Sequence, residues 1–376
     1  MANYISKRGA NVAPSYATTD DLPASTEVGD LVFVGGQLGI AVSASGYATC
    51  DKTDIVTHPI LGTSFGILAG GSASGNTMIQ KYSFTSDGNA VDSGADLATA
   101  KKEAGSAQTL AVGYAIGGTA TNDRSINAYT FANSGTNAVA TGVQTKATSG
   151  NMSNQYFRSS YSDTHMYAHG SRTGTYNNGY PTSGNKQNHK TSFASSSGTM
   201  SYVGTTLTFA YGGAGGNSDT HGYTDTGIEW SGTTTSYPND IGRHAFASDE
   251  NAVAFSNNTN GNGNGDNVYS PYHAGYADSR EKHYLFSTHV GQSSYGNNGM
   301  NFTHASGGTA TVTTGLCTTS SQMACTISTT HIYLSGGSKG TGNEKIAIAN
   351  DTTAASSVGV ILHAASTDKA KCHWSL

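Results

Sequence analysis

Apolar residues in this chain come in short runs that alternate with polar ones or stand in small blocks. Asp30-Leu-Val-Phe-Val34, Thr206-Leu-Thr-Phe-Ala210 and His331-Ile-Tyr-Leu334 are typical, and Gly, Asn, Asp or Ser bounds almost every such run. Period-two alternation closed by turn residues predicts strands throughout. Helical spacing is confined to Gly94–Gly105, which predicts one short helix among strands.

The runs repeat. Ser64-Phe-Gly-Ile-Leu-Ala-Gly-Gly71 is followed by Ile79-Gln-Lys-Tyr-Ser-Phe84, and Val112-Gly-Tyr-Ala-Ile-Gly-Gly118 by Ile126-Asn-Ala-Tyr-Thr-Phe131. The pattern returns at Thr164-His-Met-Tyr167, at Thr220-His-Gly-Tyr223, in weaker form at Lys282-His-Tyr-Leu-Phe286, and at Thr330-His-Ile-Tyr333. One anchor series is Ile67, Tyr114, Tyr167, Tyr223, Leu285 and Tyr333; a second is Phe84, Phe131, Phe193, Phe246, Phe302 and Ile348. Two anchors in fixed order, about every 50 residues, match a four-stranded propeller blade. The reading is an all-β propeller of about six blades over residues 58–376. The aromatic anchors fill the space between blades, Gly-Gly pairs close a strand where a side chain would clash, and Asp87-Gly88 makes a turn with positive φ. Residues 1–26 read as an extended arm, and 27–57 as a β-hairpin turning at Gly35-Gly36, for attachment or oligomerisation.

Composition narrows the function. Charged residues make up 11% of the 376, under half the usual fraction of about 25%. A net charge of −5 gives no footprint for nucleic acid. No run has the roughly 18 apolar residues of a membrane helix, so no membrane insertion is expected. Lys7 and Arg8 precede no apolar stretch, so no signal peptide is expected. Cys50, Cys317, Cys325 and Cys372 fit no zinc spacing and predict plain thiols in a chain made in a reducing cytoplasm.

The order strand, Gly-Gly, short loop, aromatic-bearing strand resembles a kelch-type repeat. The variant with Thr-His-Gly-Tyr and Phe246-Ala-Ser-Asp-Glu-Asn-Ala252 is similar to kelch-like repeats in structural proteins of marine bacteriophages, over roughly residues 58–376. The chain departs from the kelch pattern in lacking its downstream tryptophan, since Trp230 and Trp374 are the only two. Gly29-Asp-Leu-Val-Phe-Val34 after a short arm resembles the start of many phage tail-fibre and virion proteins. The resemblance implies a virion structural protein, a tail fibre or surface component. It would be joined to other virion proteins through its N-terminal segment, homo-oligomeric, and directed at a host-surface glycan or protein. The alternatives are a cellular carbohydrate- or protein-binding propeller and, third, a propeller enzyme.

Candidate chemistry is sparse. His165, His221, His283 and His331 fall at what reads as one repeat position, where a metal or anion site competes with a structural hydrogen bond in each blade; the structural role is favoured, and no metal or cofactor is expected. No Gly-x-Ser-x-Gly elbow stands in a strand-to-helix context, and no glycine-rich run ends in Gly-Lys-Thr, so no catalytic residue is assigned. Long loops after the third and fourth Gly-bearing strands carry Tyr176, Tyr180, Trp230 and Tyr237. Adjacent blades would bring these aromatics together on one face, as a sugar or protein contact or as staples that pin the loops.

Overall fold

The computed structural model describes residues 15–16, 31–34, 37–43, 46–50, 60–71, 76–101, 104–118, 124–132, 135–145, 158–177, 180–207, 215–225, 229–231, 234–236, 240–257, 269–270, 275–286, 289–290, 294–318, 323–337, 340–362 and 370–374. The chain divides into two compact units, 1–57 and 58–376.

The first unit is a four-stranded sheet rather than a lone hairpin. Leu31–Val34 and Gln37–Ser43 pair across Val34 and Gln37, with Gly35 and Gly36 between them. Gly46–Cys50 adds a third strand, and Ser15–Tyr16, from the arm, pairs in parallel with Leu31–Val34.

The second unit is an all-β propeller built from one plan: four antiparallel strands, inner to outer. In the first sheet the inner strand is Ala370–Trp374, from the end of the chain, followed by Phe65–Ala69, Met78–Ser83 and Val91–Asp96. The second sheet runs Gly105–Gln108, Val112–Ile116, Ser125–Thr130, Val139–Gln144, with Gly198–Thr199 added in parallel as a fifth, outermost strand, and the third runs Arg158–Tyr161, His165–Asn177, Tyr180–Ser192, Ser201–Thr205. The last is Ala324–Ile327, His331–Ser335, Gly342–Ala347, Ser356–Val360. Between third and last lies a continuous eight-stranded sheet. Its leading half is Gly215–Asn217, His221–Asp225, Asp240–Ala245, Val253–Asn257; its trailing half is Gly275–Asp278, Lys282–Phe286, Gly299–Thr303, Gly307–Thr313.

About six separate blades were expected; the sheets are instead four separate blades and this eight-stranded one. The cause lies at the outer edges, where one contact recurs at three of the seams. Ala90 N–H donates to the Val360 carbonyl (2.8 Å) while Val360 N–H donates to Asn89 Oδ1 (3.1 Å). Asn137-Ala138 holds Asp96 in the same way (3.0 and 2.8 Å), and Asn251-Ala252 holds Thr205 (2.9 and 2.7 Å). The repeated Asn-Ala is thus a clasp that takes both backbone groups of one residue on the preceding sheet, satisfying groups that an edge would leave open. Between the two halves the clasp is replaced by parallel pairing of Ser256 with Gly308 and Asn257 with Thr309, which fuses them. At the inside the strands touch in a cycle: Ala370–Trp374, Gly105–Gln108, Arg158–Tyr161, Gly215–Asn217, Gly275–Asp278, Ala324–Ile327, and back to the first.

The seams between sheets hold the core. Tyr333 packs on Phe84 (ring centroids 4.7 Å), Tyr114 on Phe193 (5.1 Å), Tyr167 on Phe246 (5.0 Å) and Tyr223 on His304 (5.1 Å). Each pair joins the third residue of one sheet's second strand to the residue just after the next sheet's third strand. The fifth repeat therefore departs from the expected register at both anchors. Tyr284, not Leu285, holds the first anchor position, because Lys282 starts that strand opposite Thr303. His304, not Phe302, holds the second, since its N–H bonds the Glu281 carbonyl as Phe246 N–H bonds Thr220.

Volumes at each seam are traded among three positions. Gly66 lies across from Tyr82, whose hydroxyl meets Thr326 Oγ1 of the last sheet's inner strand. Gly222 lies across from His244, with Ser160 in the place of Thr326. Where the second-strand residue is large, His283, the facing inner residue is Gly216, and a methyl there would lie 2.5 Å from His283 Nδ1.

Two local expectations fail. Gly94–Asp96 ends an outer strand and Gly105 starts an inner one, so no α-helix forms among the described residues between them; sheet pairing overrides a weak local propensity. Gly88 does not take positive φ; its carbonyl lies instead against Gly359 of the last sheet, while Asp87 pairs with Lys345 (2.8 Å). The Gly-Gly strand exits do take positive φ, at Gly70 and Gly71, Gly117 and Gly118, and Gly336 and Gly337.

Candidate functional site

Polar chemistry concentrates in the two seams that flank the leading half of the eight-stranded sheet. In the first and second sheets the fifth position of the second strand is apolar, Ala69 and Ile116, and in the last sheet it is the small hydroxyl residue Ser335. In the third sheet that position is His169, and in the leading half it is Asp225, both fully buried.

At the seam between the third sheet and the leading half, Ser160 Oγ lies 2.7 Å from His169 Nε2, and His169 Nδ1 lies 2.5 Å from Asn188 Oδ1. Asn188 Oδ1 only accepts, so Nδ1–H donates to it and Nε2 accepts from the Ser160 hydroxyl. Hydroxyl, imidazole and carbonyl oxygen follow the order of a hydrolytic triad. The hydroxyl is sealed, however. Ser160 is fully buried, and a methyl on Gly222 would lie 2.4 Å from its oxygen, so no substrate carbonyl fits against it. His244 packs edge-on against His169 (4.7 Å), and neither of its ring nitrogens has a hydrogen-bond partner among the described residues. Burial pushes His244 down to about 3, and burial, with His244 beside it, holds His169 well below the ordinary imidazole value.

The seam within the eight-stranded sheet has the opposite polarity. His283 Nε2 is 2.9 Å from Asp225 Oδ2 and Nδ1 is 2.7 Å from Asp278 Oδ1, with both imidazole and Asp225 fully buried. Burial alone would lower His283, but the two carboxylates outweigh it and raise it to about 10. Burial would raise Asp278, and the imidazolium brings it down to about 2. His304 Nε2 stands 3.7 Å from the same Asp278 oxygen. Arg158 closes the group from the third sheet. Burial lowers it to about 9, Asp225 opposes that shift, and its Nε and Nη2 have no partner among the described residues.

Two hollows stand out, of which only the first touches these seams. The axial one, about 40 Å³, is lined by inner-strand residues including Ser106, Gln108, Ser159, Asn217 and Asp278; it has room for a few waters at most. The other, about 380 Å³, lies between the trailing half and the last sheet, against Ser279, Arg280, Lys282, Tyr284, Thr329 and Ile348. Among the described residues no group of three or more His, Cys, Asp or Glu is placed to hold a metal ion.

The four histidines do not share one position. His165, His221 and His331 each begin a second strand, with Nδ1 2.8 Å from the hydroxyl of the preceding threonine, Thr164, Thr220 or Thr330. Partial burial lowers all three. His283 is the second residue of its strand, where the others have Met166, Gly222 and Ile332, so it points into the seam instead.

Of the four loop aromatics, Tyr176 and Tyr180 flank the tip of the long third-sheet hairpin, where Asn177 pairs with Tyr180 and Tyr176 with Pro181. Trp230 is central in Glu229–Ser231, which hairpins with Thr234–Ser236 and lies beside the Tyr180–Ser192 strand. Tyr237 lies outside the described residues. Sequence reading missed Arg158, Ser160, His169, Asn188, Asp225, His244, Asp278 and His304. The available signal was the switch from apolar to ionisable residues at equivalent repeat positions. No protein-family model and no curated protein matches the chain.

Proposed function

We propose that the chain is a phage virion structural protein, a tail-fibre or surface component, that displays one elaborated propeller face to a host-surface glycan or protein. In this reading the eight-stranded sheet is two blades fused at their outer edges, and the ring has six kelch-like blades. Its N-terminal sheet joins other virion proteins or further copies of the chain, and no catalysis is involved.

The supporting observation is the asymmetry of the connections between second and third strands. In the first, second and last sheets they are short, Gly70–Thr77, Gly117–Arg124 and Gly336–Thr341. In the third sheet both strands run on into a long hairpin; in the leading half the connection forms the hairpin around Trp230; in the trailing half it forms His289–Val290 and Ser294–Tyr295. Tyr269–Ser270, from the connection that leads into the trailing half, pairs with His289–Val290. In an up-and-down sheet all of these connections emerge at the same end. Half of the ring therefore carries extra structure on one face. Loops held by a rigid scaffold are where recognition is usually placed, and low charge with abundant Tyr, Asn, Ser and Thr suits a polar, adaptable contact surface.

Immunogold labelling of purified particles from cells that produce the chain tests the assignment. The expected result is gold at a defined tail or surface position. Antigen confined to the soluble cell extract, with bare particles, would overturn it in favour of a cellular binding propeller.

A further inference from the structure

His169 sits where the His165–Asn177 strand leaves the blade for the long hairpin, and the register shifts between His169 and Ser171. Asn188 and His189 sit where the partner strand returns. The hairpin root is thus one wall of the seam that His244 closes from the leading half. Groups facing the two imidazoles come from every packed strand: Arg158 and Ser160 from the inner strand, the Tyr167 ring from the second strand, Asn188 and His189 from the third strand, and His221 and Gly222 from the neighbouring sheet. The nearby carboxylates are engaged elsewhere, Asp225 with His283 and Asp249 with Lys190 at the surface (2.6 Å). A proton on His169 therefore places positive charge beside Arg158, and one on His244 places it beside His169 and His221, with no counter-ion in contact. The adjoining seam, with two carboxylates around His283, already holds its proton.

We propose that the seam between the third sheet and the eight-stranded sheet is an acid-responsive catch, in which protonation of His169 and His244 loosens the root of the long hairpin and reshapes the face it carries. The unfolded or opened segment takes up protons at the ordinary imidazole value, near 6.5, whereas the closed seam does not. The closed state is therefore favoured above about pH 6.5 and loses ground as pH falls below it. Burial lowering both imidazoles agrees with that direction. The seam around His283 responds in the opposite sense, so loosening is local to one side of the leading half.

Hydrogen exchange at pH 7 and pH 5, corrected for intrinsic rates, tests the catch in the whole chain. Residues 158–170 and 186–192 are expected to lose protection at pH 5 while 112–130 keep theirs. Uniform loss, or none, overturns the proposal. A second reading uses His244→Tyr, which rebuilds the Gly–Tyr pair of the first sheet with Ser160 where Thr326 meets the Tyr82 hydroxyl. Between pH 7 and 5 the melting temperature of the unaltered chain is expected to fall by roughly 5–10 °C, and that of His244→Tyr by about half as much. An equal fall in both contradicts the catch; if the variant does not fold, the exchange map of the unaltered chain decides. The link to display rests on the function proposed above. Exchange reads the seam whether or not particles carry the chain, so the two can fail separately.

Discussion

Replacing His283 with leucine is expected to lower the stability of the propeller by about 3–5 kcal/mol, the range for removing one partner from a buried ion pair. The imidazolium is clamped by Asp225 of the leading half and Asp278 of the trailing half, and leucine leaves both carboxylates facing each other without the cation between them. The loss should appear as a drop in urea midpoint at pH 7. Adding Asp225→Asn and Asp278→Asn to the same chain should recover a large part of it, because the uncompensated charges go too. The pH dependence has a definite sign. A histidine raised from 6.5 to about 10 stabilises fully below 6.5, and that contribution disappears as pH rises through 10. The gap between the unaltered chain and His283→Leu should narrow over that window. A variant within 1 kcal/mol of the parent, by the scale of ordinary surface substitutions of about ±0.5 kcal/mol, would mean that the buried pair is not formed as described.

Truncation after residue 369 is expected to be at least as severe. Ala370–Trp374 supplies the inner strand of the first sheet, pairing along its length with Phe65–Ala69, and it also touches the inner strands on either side. Its loss exposes the edge of Phe65–Ala69, whose residues Leu68 and Ala69 are fully buried. A ladder of several hydrogen bonds at about 1 kcal/mol each, with the burial that accompanies it, approaches the whole margin of about 5–15 kcal/mol that a folded protein has. Soluble monomer yield, near-ultraviolet circular dichroism and limited proteolysis should all report an opened, protease-sensitive chain. Unfolding of the truncated chain at the parental urea concentration would show the ring does not depend on that strand.

The blade anchors were legible because aromatic residues at fixed intervals mark the widest part of each seam, and Tyr114, Tyr167, Tyr223 and Tyr333 all sit there. The first anchor of the fifth repeat was misaligned by one residue because Lys282-His-Tyr-Leu-Phe286 offers consecutive bulky residues, and only the partner strand fixes which of them faces the seam. Inner strands were harder to see. Gly105-Ser-Ala-Gln108 and Arg158-Ser-Ser-Tyr161 lie against the axis, where small and polar side chains fit, so they read as loop. Ala370-Lys-Cys-His-Trp374 does alternate, but nothing local indicates that it belongs to a sheet whose other strands begin at Phe65. The buried ionic groups were invisible for a related reason: Asp225 and His283 meet only because the two halves of the fused sheet pack together at the seam, across 58 residues. The Asn-Ala repeat was visible as a pattern, but its clasp is made with the preceding sheet, so its role could not be read within one repeat.

Closure of the ring by the end of the chain can be tested covalently. The register places residue 372 opposite Ile67, and facing residues of an antiparallel pair lie about 4.5–5.5 Å apart at Cα, within disulfide reach. Under mild oxidation, Ile67→Cys should form a bond to Cys372 within one chain, identified by peptide mapping and by faster migration of the non-reduced monomer. Absence of that link in folded monomer, or its appearance only between chains, would contradict a propeller closed by its last strand.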